Sequence, residues 1–89
     1  MSLIELLENH IVDEQDKQDY YIMLRNWIII SGALKDIDSE EILLDMIKVE
    51  SETRRRPDIV MRLHARLTSV RRNREREELV HYLSSKASG

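Results

Sequence analysis

The chain has 89 residues, no cysteine, two glycines, one proline and a formal net charge of −3. Its length allows one domain with a modest core. The missing cysteines exclude disulfides, thiolate metal sites and a cysteine nucleophile, and so little Gly and Pro leaves no material for hairpins or a phosphate-cradling loop. The small net charge hides a strong polarity. Residues 1–50 carry twelve acidic side chains against Lys17, Arg25, Lys35 and Lys48, residues 51–89 carry ten basic against five acidic, and nine of the ten arginines lie between Arg54 and Arg76. Polarity of this kind reports on partners more than on fold.

In chain order, Ser2 with Glu5 three residues on has the capping-box spacing, and Leu3, Leu6, Leu7 and Ile11 then share one side of a short helix running to about Val12. A second helix is expected from Glu14, after the acids of DEQDKQD, and to run through Leu34. Met23, Trp27, Ile30 and Leu34 form its stripe, while Tyr20, Leu24, Ile28 and Ile29 widen the apolar arc until other helices must surround it. This helix is therefore predicted to be the centre of the domain.

Asp38-Ser39-Glu40-Glu41 reads as a second capping box. It opens a third helix with Ile42, Leu43, Met46, Ile47 and Val49 on its apolar face, ending near Arg54–Arg56. Pro57 suits the first position of a fourth helix, where Ile59, Val60, Leu63, Leu67 and Val70 fall within an arc of about 100°. The following residues, RRNREREE, contain no apolar member, and an unbroken helix would bring Leu79, Val80 and Leu83 out on the opposite side. Either the helix breaks near Asn73, which tolerates a left-handed C-terminal conformation, or its distal end meets a different partner. The reading favoured here is a projecting arm whose LVHYL patch docks on a second chain. The expected architecture is all-α, a small four-helix domain over 1–84 with a disordered tail at 85–89. Its core is to be built mostly from Met23, Trp27, Ile30, Leu34, Ile42, Met46, Val49, Leu63, Leu67 and Val70.

The arginine cluster carries the functional reading. A guanidinium offers a planar fork of donors that matches phosphate oxygens, and one basic face on a helix can follow a phosphate backbone. Candidate nucleic-acid contacts are Arg54, Arg55 and Arg56 at the helix junction, with Arg62, Arg66, Arg71, Arg72 and Arg76 beyond it; Asn73 and His64 are the nearby side chains able to read base edges. The same fork matches carboxylates, however, and the acidic half of the chain supplies many of them. Arg74 and Glu78 form an i,i+4 pair, and the acids Asp13, Glu14, Asp16 and Asp19 could meet arginines of a neighbouring subunit. No aromatic residue is interleaved with the arginines, which argues against stacking on single-stranded bases.

Other chemistry finds little support. Glu78 and His81 have the Glu-x-x-His spacing of di-iron bundles, but that motif is single here, so no metal site is expected and the histidines read as surface residues. No nucleophile elbow, Gly-rich loop or dinucleotide fingerprint is visible, so no enzyme, cofactor or small-molecule substrate is expected. MSLIELLENH lacks the marks of a signal peptide. The apolar run Tyr20–Leu24, resumed at Trp27–Ile30, is far shorter than the roughly 20 residues of a membrane span, so a soluble cytoplasmic protein is expected. Two functions follow. The first is a small nucleic-acid-binding accessory or regulatory protein. The alternative is a protein-interaction module, such as an adaptor, inhibitor or assembly subunit, whose opposite charges pair with a protein or within a homodimer.

Overall fold

A computed structural model describes residues 2–87 as an all-α chain. Five helices follow one another among the described residues: α1 (Leu3–Asn9), α2 (Glu14–Leu24), α3 (Trp27–Ala33), α4 (Glu40–Glu52) and α5 (Pro57–Ala87), with a 3-10 turn at Leu34–Asp36 between α3 and α4. No strand is present among them.

The serine caps act as their spacing predicts. The Ser2 hydroxyl accepts from the Glu5 N–H (3.2 Å) and the Ser39 hydroxyl from the Ile42 N–H (3.2 Å), each satisfying a donor that the first helical turn leaves unpaired. Helix α1 stops at Asn9, earlier than the expected Val12, because His10 turns to extended backbone and its N–H closes on the Leu7 carbonyl (3.2 Å).

The count of four helices is corrected to five, because the expected second helix is two. Helix α2 ends at Leu24, the chain turns at Arg25–Asn26, and α3 starts at Trp27 with Asn26 outside helical geometry (φ −99°, ψ 61°). The cause is remote in sequence. Arg54 Nη1 donates to the Tyr21 carbonyl (2.7 Å) and Arg56 Nη2 to the Leu24 carbonyl (2.9 Å), so α2's last carbonyls are satisfied from the α4–α5 connection.

This break redistributes the core. Met23 is 40% exposed, Trp27 is half-buried, and Ile42 is 39% exposed, whereas Ile30, Leu34, Met46, Val49, Leu63, Leu67 and Val70 are buried as expected. Leu24, Leu43, Ile47 and Ile59 join them. The centre of the domain is α4 rather than the expected second helix: it buries Leu43, Leu44, Met46, Ile47, Val49 and Glu50 and packs against both α2 and α5.

Helix α5 is continuous, and the break considered at Asn73 does not occur. Arg74 pairs with Glu78 one turn on (3.2 Å) and with Glu40 at the start of α4, and Arg71 approaches the same Glu40 (3.5 Å), so ion pairs hold the helix on both sides of Asn73. Its first four turns carry the expected stripe, with Ile59, Leu63, Leu67 and Val70 buried. From Arg72 to Ala87 every residue is exposed. Thirty-one residues at 1.5 Å make a rod of about 46 Å, close to the 51 Å longest dimension of the molecule, so the distal half of α5 projects from the domain. Helix continues through 85–87 of the expected tail, and Ser88 and Gly89 lie outside the described residues.

Candidate functional site

The arginines divide into three groups by what they touch. The first closes the domain. Glu50, on the inner face of α4, is 0% exposed, and its carboxylate accepts from the Arg56 backbone N–H (3.2 Å), Nε (3.0 Å) and Nη2 (2.7 Å). Burial pushes the Glu50 carboxyl up, but the side-chain and backbone hydrogen bonds from Arg56 and its charge outweigh burial and hold it below the ordinary carboxylate range. Arg54 caps α2 while its guanidinium lies 4.0 Å over the Tyr21 ring. Between them Arg55 sits at φ 57°, a left-handed conformation that its side chain makes costly, with its N–H bonded to the Glu50 carbonyl (2.7 Å).

The second group ties the flank of α5 to the loop before α4. Arg66 Nε donates to the Ile37 carbonyl (3.0 Å) and Arg66 Nη2 to Asp38 (2.8 Å), while Arg71 and Arg74 meet Glu40. Arg66 was put forward by sequence as a phosphate contact beyond the helix junction. It lies instead at the edge of the core stripe, half-buried.

The third group faces solvent. Arg62 lies 5.5 Å from the Trp27 ring, and Arg55, Arg72 and Arg76 make no ion pair among the described residues. Of the eight arginines put forward for phosphate, Arg54, Arg56, Arg66 and Arg71 therefore engage carbonyls or carboxylates of their own chain. None of these pairs uses Asp13, Glu14, Asp16 or Asp19, which are exposed along the start of α2; there Glu14 meets Lys17 (3.4 Å) and Asp19 accepts from Gln15 (3.1 Å).

Two apolar patches are exposed. On the distal half of α5, Leu79, Val80 and Leu83 are each more than half exposed, with Tyr82 beside them. Around the α2–α3 turn, Ile22 is 65%, Ile28 87% and Ile29 69% exposed, and Arg25, Asn26, Trp27, Ile28 and Ile29 line a shallow depression. The first patch was legible from the phase of the α5 pattern. In the second, Ile28 and Ile29 were expected to be surrounded by other helices and are exposed instead, beside the break at Arg25–Asn26.

A polar network at the other end went unseen in the sequence. Asp45 on α4 pairs through one oxygen with His10 Nε2 and accepts through the other from the Tyr20 hydroxyl (3.1 Å), so His10 is a half-buried tie rather than a surface residue. Burial, then the Asp45 charge and hydrogen bond, push the Tyr20 hydroxyl up to about 12. Lys48 Nζ donates to the Leu7 carbonyl (2.7 Å), so α1, which has no fully buried residue, is held partly by polar contacts. Nothing in the local sequence announces pairs 25 to 41 residues apart.

No group of three or more His, Cys, Asp or Glu side chains is arranged to hold a metal ion among the described residues, and no helix there is long and apolar enough to cross a membrane. Comparison of the chain with protein-family models, with curated proteins and with solved structures finds no match. The class defined by fold and surface is thus a small all-α domain with a projecting, amphipathic arm.

Proposed function

We propose that this chain is a protein-interaction module. Most of its arginine cluster supports the fold, and its exposed apolar patches bind protein. One observation carries the reading: Arg54, Arg56, Arg66, Arg71 and Arg74 are tied to carbonyls or carboxylates of the same chain, while Leu79, Val80, Leu83, Ile28 and Ile29 are exposed. Engaged guanidinium groups have part of their charge and donors already committed and so gain less from phosphate, whereas exposed aliphatic patches gain free energy from any apolar cover. The test is site-specific photo-crosslinking in the cells that make the protein. A crosslinker at Leu83 or Ile29 should yield protein adducts, with Asp58 as the control position, and adducts to nucleic acid alone would overturn the reading.

Nucleic-acid binding remains as the second reading because Arg62, Arg72 and Arg76 share the outward face of α5. Three phosphate contacts would support weak binding that falls roughly 40-fold between about 50 and 200 mM salt. Fluorescence anisotropy of labelled duplex at those two salt concentrations tests it. Saturable binding abolished by Arg72→Ala/Arg76→Ala would favour it, and no binding at the lower salt would remove it.

A further inference from the structure

The distal half of α5 and the outward face of α2 carry matching patterns. On α5, Arg72, Arg76 and Leu79 follow one another at intervals of four and three residues, all exposed, with Leu83 one turn further. On α2, Gln15, Asp19 and Ile22 follow at the same intervals, all exposed, and the next turn leads to the exposed Ile28 and Ile29 of the α2–α3 junction. Intervals of four and three place residues on one side of a helix. Laid parallel, the two seams set Arg72 beside Gln15, Arg76 beside Asp19, Leu79 beside Ile22, and Leu83 toward Ile28 and Ile29.

Building on the interaction-module reading above, we infer that the α5 arm is covered by the α2 face of a second copy of this chain. Charge selects this occupant. Two arms laid parallel on each other would oppose arginine to arginine and laid antiparallel would set Arg76 against Leu79, whereas α2 begins with Asp13, Glu14, Asp16 and Asp19, none of which pairs with an arginine among the described residues. Within one chain the arm cannot reach this face, because α5 continues unbroken and carries Leu79 and Leu83 away from the core.

Sedimentation equilibrium of the purified full chain tests the pairing, with circular dichroism confirming that each variant folds. A dimer is expected. Leu79→Ala/Leu83→Ala, remote from the core, should raise its dissociation constant about a hundred-fold. Arg76→Glu and Asp19→Arg should each raise it about ten-fold, and the double variant carrying both reversals should regain the wild-type value. A protein that stays monomeric up to about 1 mM, or a dimer indifferent to both reversals, would overturn the inference. The photo-crosslinker at Leu83 separates this failure from that of the broader reading. Adducts only to a different protein would overturn self-pairing and leave the interaction module standing, and the absence of any protein adduct would overturn both.

Discussion

The two halves of α5 have the same backbone and similar arginine content but lead opposite lives. In the proximal half, Ile59, Leu63, Leu67 and Val70 are buried against the domain, and Arg66 and Arg71 are drawn into ion pairs at its flank, where Arg74 from the start of the distal half joins Arg71 at Glu40. In the distal half, Arg72 and Arg76 stand in solvent beside Leu79 and Leu83. A guanidinium next to a core becomes a cap, because carbonyls and carboxylates at helix ends need donors there. Away from the core it stays available to a partner. Arginine number therefore says little about function until position relative to the core is known.

The comparison is broken most forcefully in the core. Leu63→Ala, at a position with no exposure, should cost about 3–4 kcal/mol in urea denaturation, while Leu83→Ala in the monomer should stay within about 0.5 kcal/mol. The arginines should divide the same way. Arg56→Ala leaves the Glu50 carboxylate buried without its partner and should cost about 3 kcal/mol, against roughly zero for the exposed Arg72→Ala.

Acid should sharpen the contrast. The folded state holds Glu50 below the ordinary carboxylate range, so near the unfolded value of about 4.3 the unfolded chain binds more protons. The stability from this pair is complete above that pH and is lost as pH falls through the folded value. A urea midpoint measured against pH should drop on this limb, and less so in Arg56→Ala. Tyr20 works at the opposite end, with its hydroxyl raised to about 12. Its contribution is complete below about 10 and is lost as pH rises through the folded value, so Tyr20→Phe should flatten the alkaline limb of the same profile.

A small effect of opposite sign is expected at Arg55. Its left-handed φ of 57° is strained for any residue with a Cβ. Arg55→Gly should raise the thermal midpoint slightly, by at most about 1 kcal/mol of stability, since relief of strain is partly offset by the greater freedom of glycine in the unfolded chain.

Particular residues show what could be read in advance. The Ser2 and Ser39 caps, the start of α2 at Glu14, the Pro57 start of α5 and the Ile59–Val70 stripe are local signals, carried by residues three or four apart. The outward phase of Leu79, Val80 and Leu83 was legible for the same reason. The break at Arg25–Asn26 was not, because YYIMLRNWIII keeps an apolar period across it and the groups that cap α2 come from Arg54 and Arg56. Glu50 looked like one more acid at the end of a helix until Arg56 folded back over it.

By itself the sequence determined the helical class, most helix starts, the buried stripe of α5 and the polarity between the acidic and basic halves. Those properties follow from composition and from periods shorter than two helical turns. Only tertiary structure decided which arginines close the fold and which remain free, which isoleucines are buried, and that α4 is the centre. The arginine contacts depend on donors and acceptors 6 to 34 residues apart finding one another, and the burial pattern depends on how the helices pack. A long-range pair of that kind leaves no period in the chain, because its geometry exists only once the helices have packed.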